Sequence, residues 1–138
     1  MTIHTKPFAG PALPIALATT LVVMGCDSVG PAPRTLTLQV ESVGDSPVRL
    51  ITSSDFTVQR TPAGEPEFDF DQADTTWVDS PFADDFDLRA TGMFYARAAE
   101  VEEPDAVVTM RALLDGTETY FHEGVLTGPG PQYYFTLF

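Results

Sequence analysis

The sequence predicts an all-β protein built as a single antiparallel β-sandwich. Three observations carry that prediction. Short runs alternate apolar and polar residues with period two, the repeat of a strand with one buried face and one wet face. Clusters of Gly, Pro, Asp and Ser interrupt these runs roughly every ten residues, the spacing expected of sandwiches. Beyond residue 34, no stretch places apolar residues convincingly at the three-and-four spacing of an amphipathic helix.

The chain opens with a different kind of segment. Lys6 supplies a positive charge, and Pro11 to Met24 are almost wholly apolar or small. That run is too short to cross a bilayer core, which needs about 20 apolar residues. It suits a cleaved secretory leader. The leader ends in Val23-Met24-Gly25-Cys26. This quartet resembles a bacterial lipoprotein signal, in which an aliphatic residue stands three before a cysteine and a small residue directly before it. The resemblance implies that the Cys26 sulfur receives a diacylglyceryl group and that residues 1–25 are removed. The new amino group of Cys26 is then usually acylated. A single acyl chain anchors only marginally, at about 0.8 kcal/mol per buried CH₂. Two or more chains on one residue would anchor stably. Cys26 is the only cysteine in the chain, so an internal disulfide cannot account for it.

The part after the leader has 113 residues, enough for one domain. It keeps all 20 acidic residues and six arginines, for a formal charge of −14. Scattered arginines on an acidic chain exclude a nucleic-acid partner, which needs clustered positive charge. The chain has no Asn, and its only Lys lies in the leader. Such a surface suits concentrated salt, where the Debye length falls to about 3 Å at 1 M; acidic character for solubility in a GC-rich genome is the other reading.

Residues 26–34 read as a tether, with Gly30, Pro31 and Pro33 preventing regular structure. The domain spans 35–138. In Thr35 to Glu41, Leu36, Leu38 and Val40 face one way and the polar residues the other. Gly44 to Pro47 signal a turn. Val48 to Thr52 and Asp55 to Arg60 read as two further strands. Glu67 to Asp71 alternates acid and aromatic, as an edge strand does when carboxylates guard it against pairing. Thr75 to Val78 and Phe86 to Ala90 read as strands; Met93 to Val101 could be a helix, but Gly92 before it and the aromatic residues at its start favour strand. Val107 to Leu114 and Thr117 to Glu123 flank Asp115-Gly116, a hairpin signature because both turn residues need positive φ. Thr127 to Pro131 is a loop, and Gln132 to Phe138 the last strand.

From Trp77 onward the order of features resembles a small immunoglobulin-like sandwich of bacterial lipoproteins, related to the MmpS-type transport accessory proteins of mycobacteria. Phe86 to Ala90, Phe94 to Ala98, Val108 to Gly116 and Thr127-Gly128-Pro129 carry the resemblance, over about 60 residues. It implies an envelope protein as partner and no catalytic residues. Cys26 would take the place of the transmembrane helix of the mycobacterial members. The Cys–Trp–Cys core of antibody domains is absent.

Candidate sites are few. Asp69, Asp71 and Asp74 offer oxygens of the kind calcium takes, although the EF-hand spacing is not met. Glu100, Glu102, Glu103 and Asp105 read as a charged loop. His122 is the only histidine after the leader, and zinc needs several His or Cys ligands. Ser42, Ser46, Ser53, Ser54 and Ser80 are hydroxyl nucleophiles by type, but none lies in a Gly-x-Ser-x-Gly elbow. His122 is expected exposed on its strand. Trp77, Tyr95, Tyr120, Tyr133 and Tyr134 suit core or a binding face, and alternation requires Tyr134 or Phe135 to face outward.

The expectation is therefore a non-enzymatic, exported protein, lipid-anchored to the bacterial cell membrane or outer membrane. It would work through contact with an envelope protein. No cofactor is expected. The alternative is a calcium- or glycan-binding surface module, using Asp69 to Asp74 or the loop at Thr127 to Pro131.

Overall fold

Strict alternation makes Thr35–Ser42 the first strand, β1, with Leu36, Leu38 and Val40 no more than 1 % exposed. A computed structural model of the chain describes residues 32–137. After β1 come β2 (Val48–Arg60), β3 (Pro66–Val78), β4 (Phe82–Asp87), a helical turn α1 (Leu88–Thr91), β5 (Met93–Val101), β6 (Val107–Leu114), β7 (Thr117–Val125) and β8 (Gln132–Thr136).

The strands form two antiparallel sheets, ordered β4-β1-β6-β7 and β3-β2-β5-β8. Only the β2–β3 and β6–β7 hairpins stay within one sheet. Every other connection crosses to the opposite layer, which is what binds the layers into one sandwich. Leu36, Leu38, Val40, Val108 and Met110 of one sheet pack with Val48, Leu50, Phe94, Ala96 and Ala98 of the other. Full burial of one such Leu or Phe contributes roughly 1.5–3 kcal/mol. The alanines let the layers approach where the leucines are large. On one flank, Tyr120 of β7 meets Tyr133 of β8 at 5.6 Å between ring centroids and closes the sandwich. On the other flank, β3 and β4 leave a cleft of about 320 Å³ floored by Leu50, Val78, Phe82 and Phe86.

Several elements differ from expectation. The two strands expected over residues 48–60 are one, because a bulge between Thr52 and Phe56 absorbs the polar Ser53-Ser54-Asp55 stretch. The Ser53 hydroxyl donates to the backbone carbonyl of Gln72 and receives the Asp55 N–H at 3.1 Å. Residues 67–71 and 75–78 likewise merge into β3, which is an edge strand as expected. Residues 86–90 are not one strand. The Asp87 carboxylate accepts the Arg89 backbone N–H at 2.9 Å and caps α1, which Gly92 ends at φ 67°.

The bulge also changes which face is covered. β2 pairs with β5 only as far as Ser53. Beyond it, the β2–β3 hairpin is a two-stranded ribbon. Phe68 on that ribbon lies 5.1 Å, ring to ring, from Tyr134 of β8, although two strands separate β3 from β8 in the sheet. The ribbon must therefore curl over the outer face. Phe56, Phe68 and Phe70 enclose Tyr95 there, leaving it 2 % exposed on the side opposite Phe94.

Turn chemistry fixes the remaining corners. Asp115 and Gly116 both have positive φ, 48° and 83°, as the hairpin requires. At Gly130 a Cβ would stand 2.0 Å from the Ala98 carbonyl oxygen, so only glycine lets this loop lie against β5.

Candidate binding site

The chain enters the sandwich at Arg34 and Thr35, whose backbone N–H groups donate to the Asp115 carboxylate at 3.1 and 3.0 Å. The α1 turn sits at the same end, with the Leu88 N–H bonded to the Arg34 carbonyl. β1 then runs away from this entrance. Its far end, with the ends of β3 and β5 and the starts of β2 and β6, carries the loops 43–47, 79–81 and 102–106.

The buried Ser42 and Ser46 and the half-buried Ser80 tie those loops together. The Ser42 hydroxyl donates to the Ser46 carbonyl, and the Ser46 hydroxyl accepts the Glu103 N–H at 2.8 Å. The Ser80 hydroxyl accepts the Ser42 N–H at 2.8 Å. The Glu102 N–H donates to the Pro47 carbonyl at 2.9 Å. Hydroxyls suit this task because each can accept one backbone group and donate to another. Ser42, Ser46, Ser53 and Ser80 thus serve backbone geometry.

On this tied end stands Trp77, the only tryptophan in the chain, 48 % exposed. It shares a concavity of about 310 Å³ with Pro47, Asp79 and Glu102. Its cross-strand neighbour Arg49 forms an ion pair with Glu100 at 3.1 Å. Val43 and Val125 are 67 % and 40 % exposed and belong to the same end, where the Val43 N–H bonds the Val107 carbonyl and Val107 pairs with Val125. Asp45, Asp79, Glu102, Glu103 and Asp105 are carried by its loops.

The sequence-predicted residues are placed as follows. Cys26 and the leader lie outside the described residues. Asp69, Asp71 and Asp74 are all exposed on β3, spread along the strand. Among the described residues, no three His, Cys, Asp or Glu side chains are grouped to hold a metal. Phe135 packs against the core, and Tyr134 faces outward as alternation required, but it is half-covered by Phe68. Tyr134 lines a separate groove of about 500 Å³ with Phe56, Val58 and Met93. His122 is half-buried rather than exposed, on the β7 face that also carries Tyr120.

Protonation is perturbed at four groups, one of them Arg89, whose guanidinium is pushed above its ordinary range by its hydrogen bonds to the Asp87 carboxylate. Hydrogen bonds from the Arg89 side chain and then its backbone lower Asp87 to about 2. Burial pushes the Tyr95 and Tyr120 hydroxyls above their ordinary range. None of these groups lines the Trp77 concavity. Sequence reasoning did not single out Asp79 and read Glu102 only as part of a charged loop, because their neighbourhood depends on a register between distant strands. The usable signal was Trp77 itself, out of phase with Thr76 and Val78 and followed by a carboxylate.

No family model, curated protein or solved structure matches this chain.

Proposed function

We propose that this chain is a non-enzymatic contact module, held on the bacterial cell membrane or outer membrane by acyl chains on Cys26. It presents the Trp77 end of the sandwich to an envelope protein. One observation carries this reading. Three of the exposed large apolar residues, Val43, Trp77 and Val125, stand at the end opposite the chain entrance at Arg34, with Trp77 on the edge strand β3 and Val125 at the end of β7. Exposed apolar groups collected in one region mark interaction surfaces, and Trp is the residue type most enriched at energetic centres of interfaces.

The reach is adequate. The eight residues between Cys26 and Thr35 span at most about 28 Å. The eight residues of β1 add roughly 26 Å. The loop end would face away from the bilayer, and the serine ties would keep it preorganised, which lowers the ordering cost of association.

The test has two parts. Mass spectrometry of the mature amino terminus should find an acylated Cys26, and Cys26→Ser should leave the membrane fraction. A photo-crosslinking residue at position 43 or 77 should join an envelope protein that one at position 67 does not. A mature form with a free thiol, recovered from the medium, ends the anchor reading. Equal cross-linking from positions 43, 67 and 77 ends the loop-end reading.

A further inference from the structure

We infer that the Trp77 concavity takes a cationic side chain, Lys or Arg, from the partner protein. The inference rests on the loop end being the contact surface, and it specifies what that surface recognises. The chain contains its own example of the required chemistry. On the outer face of the other sheet, the Arg111 guanidinium stands 5.1 Å over the Phe121 ring, with the Glu118 carboxylate 3.9 Å from the same arginine. An aromatic face attracts a cation through its quadrupole, and an adjacent carboxylate completes the site.

Trp77 has the same components without a cation. Indole is the strongest of the aromatic faces for this interaction. Asp79 and Glu102 flank it within one concavity, and Pro47 supplies an apolar wall along which a methylene stem can lie. The nearest arginine by register, Arg49, is engaged with Glu100 instead. Among the described residues, no cation stands over the Trp77 ring. The volume, about 310 Å³, suits one side chain. The loop carboxylates, on a chain of net charge −13, disfavour an anionic ligand.

Because Trp77 is the sole tryptophan, its emission reads the site directly. The full-length protein in nonionic detergent would be titrated with end-blocked Gly-Lys-Gly and Gly-Arg-Gly. End-blocked Gly-Glu-Gly and oligomers of N-acetylglucosamine are the comparison probes. The Lys and Arg peptides should shift the emission saturably, and binding should weaken several-fold between about 0.05 and 0.5 M salt. The double variant Asp79→Asn, Glu102→Gln should weaken it about tenfold with an unchanged circular-dichroism spectrum. Trp77→Leu, followed by calorimetry, should remove it. Equal responses to the Glu and Lys peptides, no saturable response to either cationic peptide, or saturation by the sugar alone would overturn the inference. If the cationic peptides fail while position 77 still cross-links an envelope protein, the site's chemistry is wrong and the contact surface stands.

Discussion

At the scale of single residues, Asp115 joins three parts of the chain. Its backbone occupies the left-handed region that the β6–β7 turn needs. Its carboxylate meanwhile receives the N–H groups of Arg34 and Thr35, and its own N–H bonds the Thr35 carbonyl at 2.9 Å. Asp115→Asn keeps an acceptor and a side chain tolerant of positive φ, so it should cost under about 1 kcal/mol. Asp115→Ala loses both and should cost about 2 kcal/mol, read as a lower urea midpoint. Equal midpoints for the two variants would show that the carboxylate contributes nothing. The turn was legible, since Asp-Gly between alternating runs has a local cause. The tie to Arg34 was not, because it joins residues 81 apart in sequence. Ser42, Ser46 and Ser80 have the same character. By residue type they were nucleophile candidates, and only the assembled loops show that their hydroxyls serve the backbone.

At the scale of elements, periodicity located β1, β5 and β6 and the hairpin turn well, because each has a local pattern and a local stop. It misplaced the breaks in β2 and β3. Ser53-Ser54-Asp55 looks like a loop in sequence, yet it continues the strand through a bulge in which the buried Ser53 hydroxyl bonds the Gln72 carbonyl and the Asp55 N–H. Alternation also cannot say which of two faces is covered, and this chain covers both. The ribbon formed by distal β2 and β3 makes a second aromatic cluster outside the sandwich. It encloses Tyr95, which a half-buried strand would have exposed. Phe68 is central, touching the rings of Phe56, Phe70, Tyr95 and Tyr134. It is itself only partly buried, so Phe68→Ala should cost about 2 kcal/mol rather than the 3–5 typical of a fully buried phenylalanine. Because the ribbon covers it, Tyr95 should also become accessible to iodination at a lower denaturant concentration than the core unfolds. If Tyr95 stays protected until global unfolding, ribbon and sandwich are one cooperative unit.

At the scale of the whole molecule, charge is the dominant feature. Three Arg–carboxylate pairs occur among the described residues, Arg49–Glu100, Arg89–Asp87 and Arg111–Glu118. Most of the 19 carboxylates among the described residues therefore face water or one another. Glu67, Asp69 and Asp71 show the cost most directly, standing exposed at alternate positions on the outer edge strand β3. Alternate residues on a strand are about 7 Å apart. Two unit charges at that distance in water repel by about 0.6 kcal/mol, and the repulsion is screened once the Debye length falls to about 3 Å at 1 M salt. The melting temperature should therefore rise with potassium chloride between about 0.05 and 2 M. The triple variant Glu67→Gln, Asp69→Asn, Asp71→Asn should melt higher than the parent in dilute buffer and gain less from added salt. The same series separates general screening from a specific ion. Screening responds to ionic strength whatever the cation, whereas calcium held by Asp69, Asp71 and Asp74 would raise the midpoint at millimolar calcium and fixed ionic strength. A parent protein whose midpoint is indifferent to potassium chloride and rises with millimolar calcium would replace the repulsive edge with a metal site.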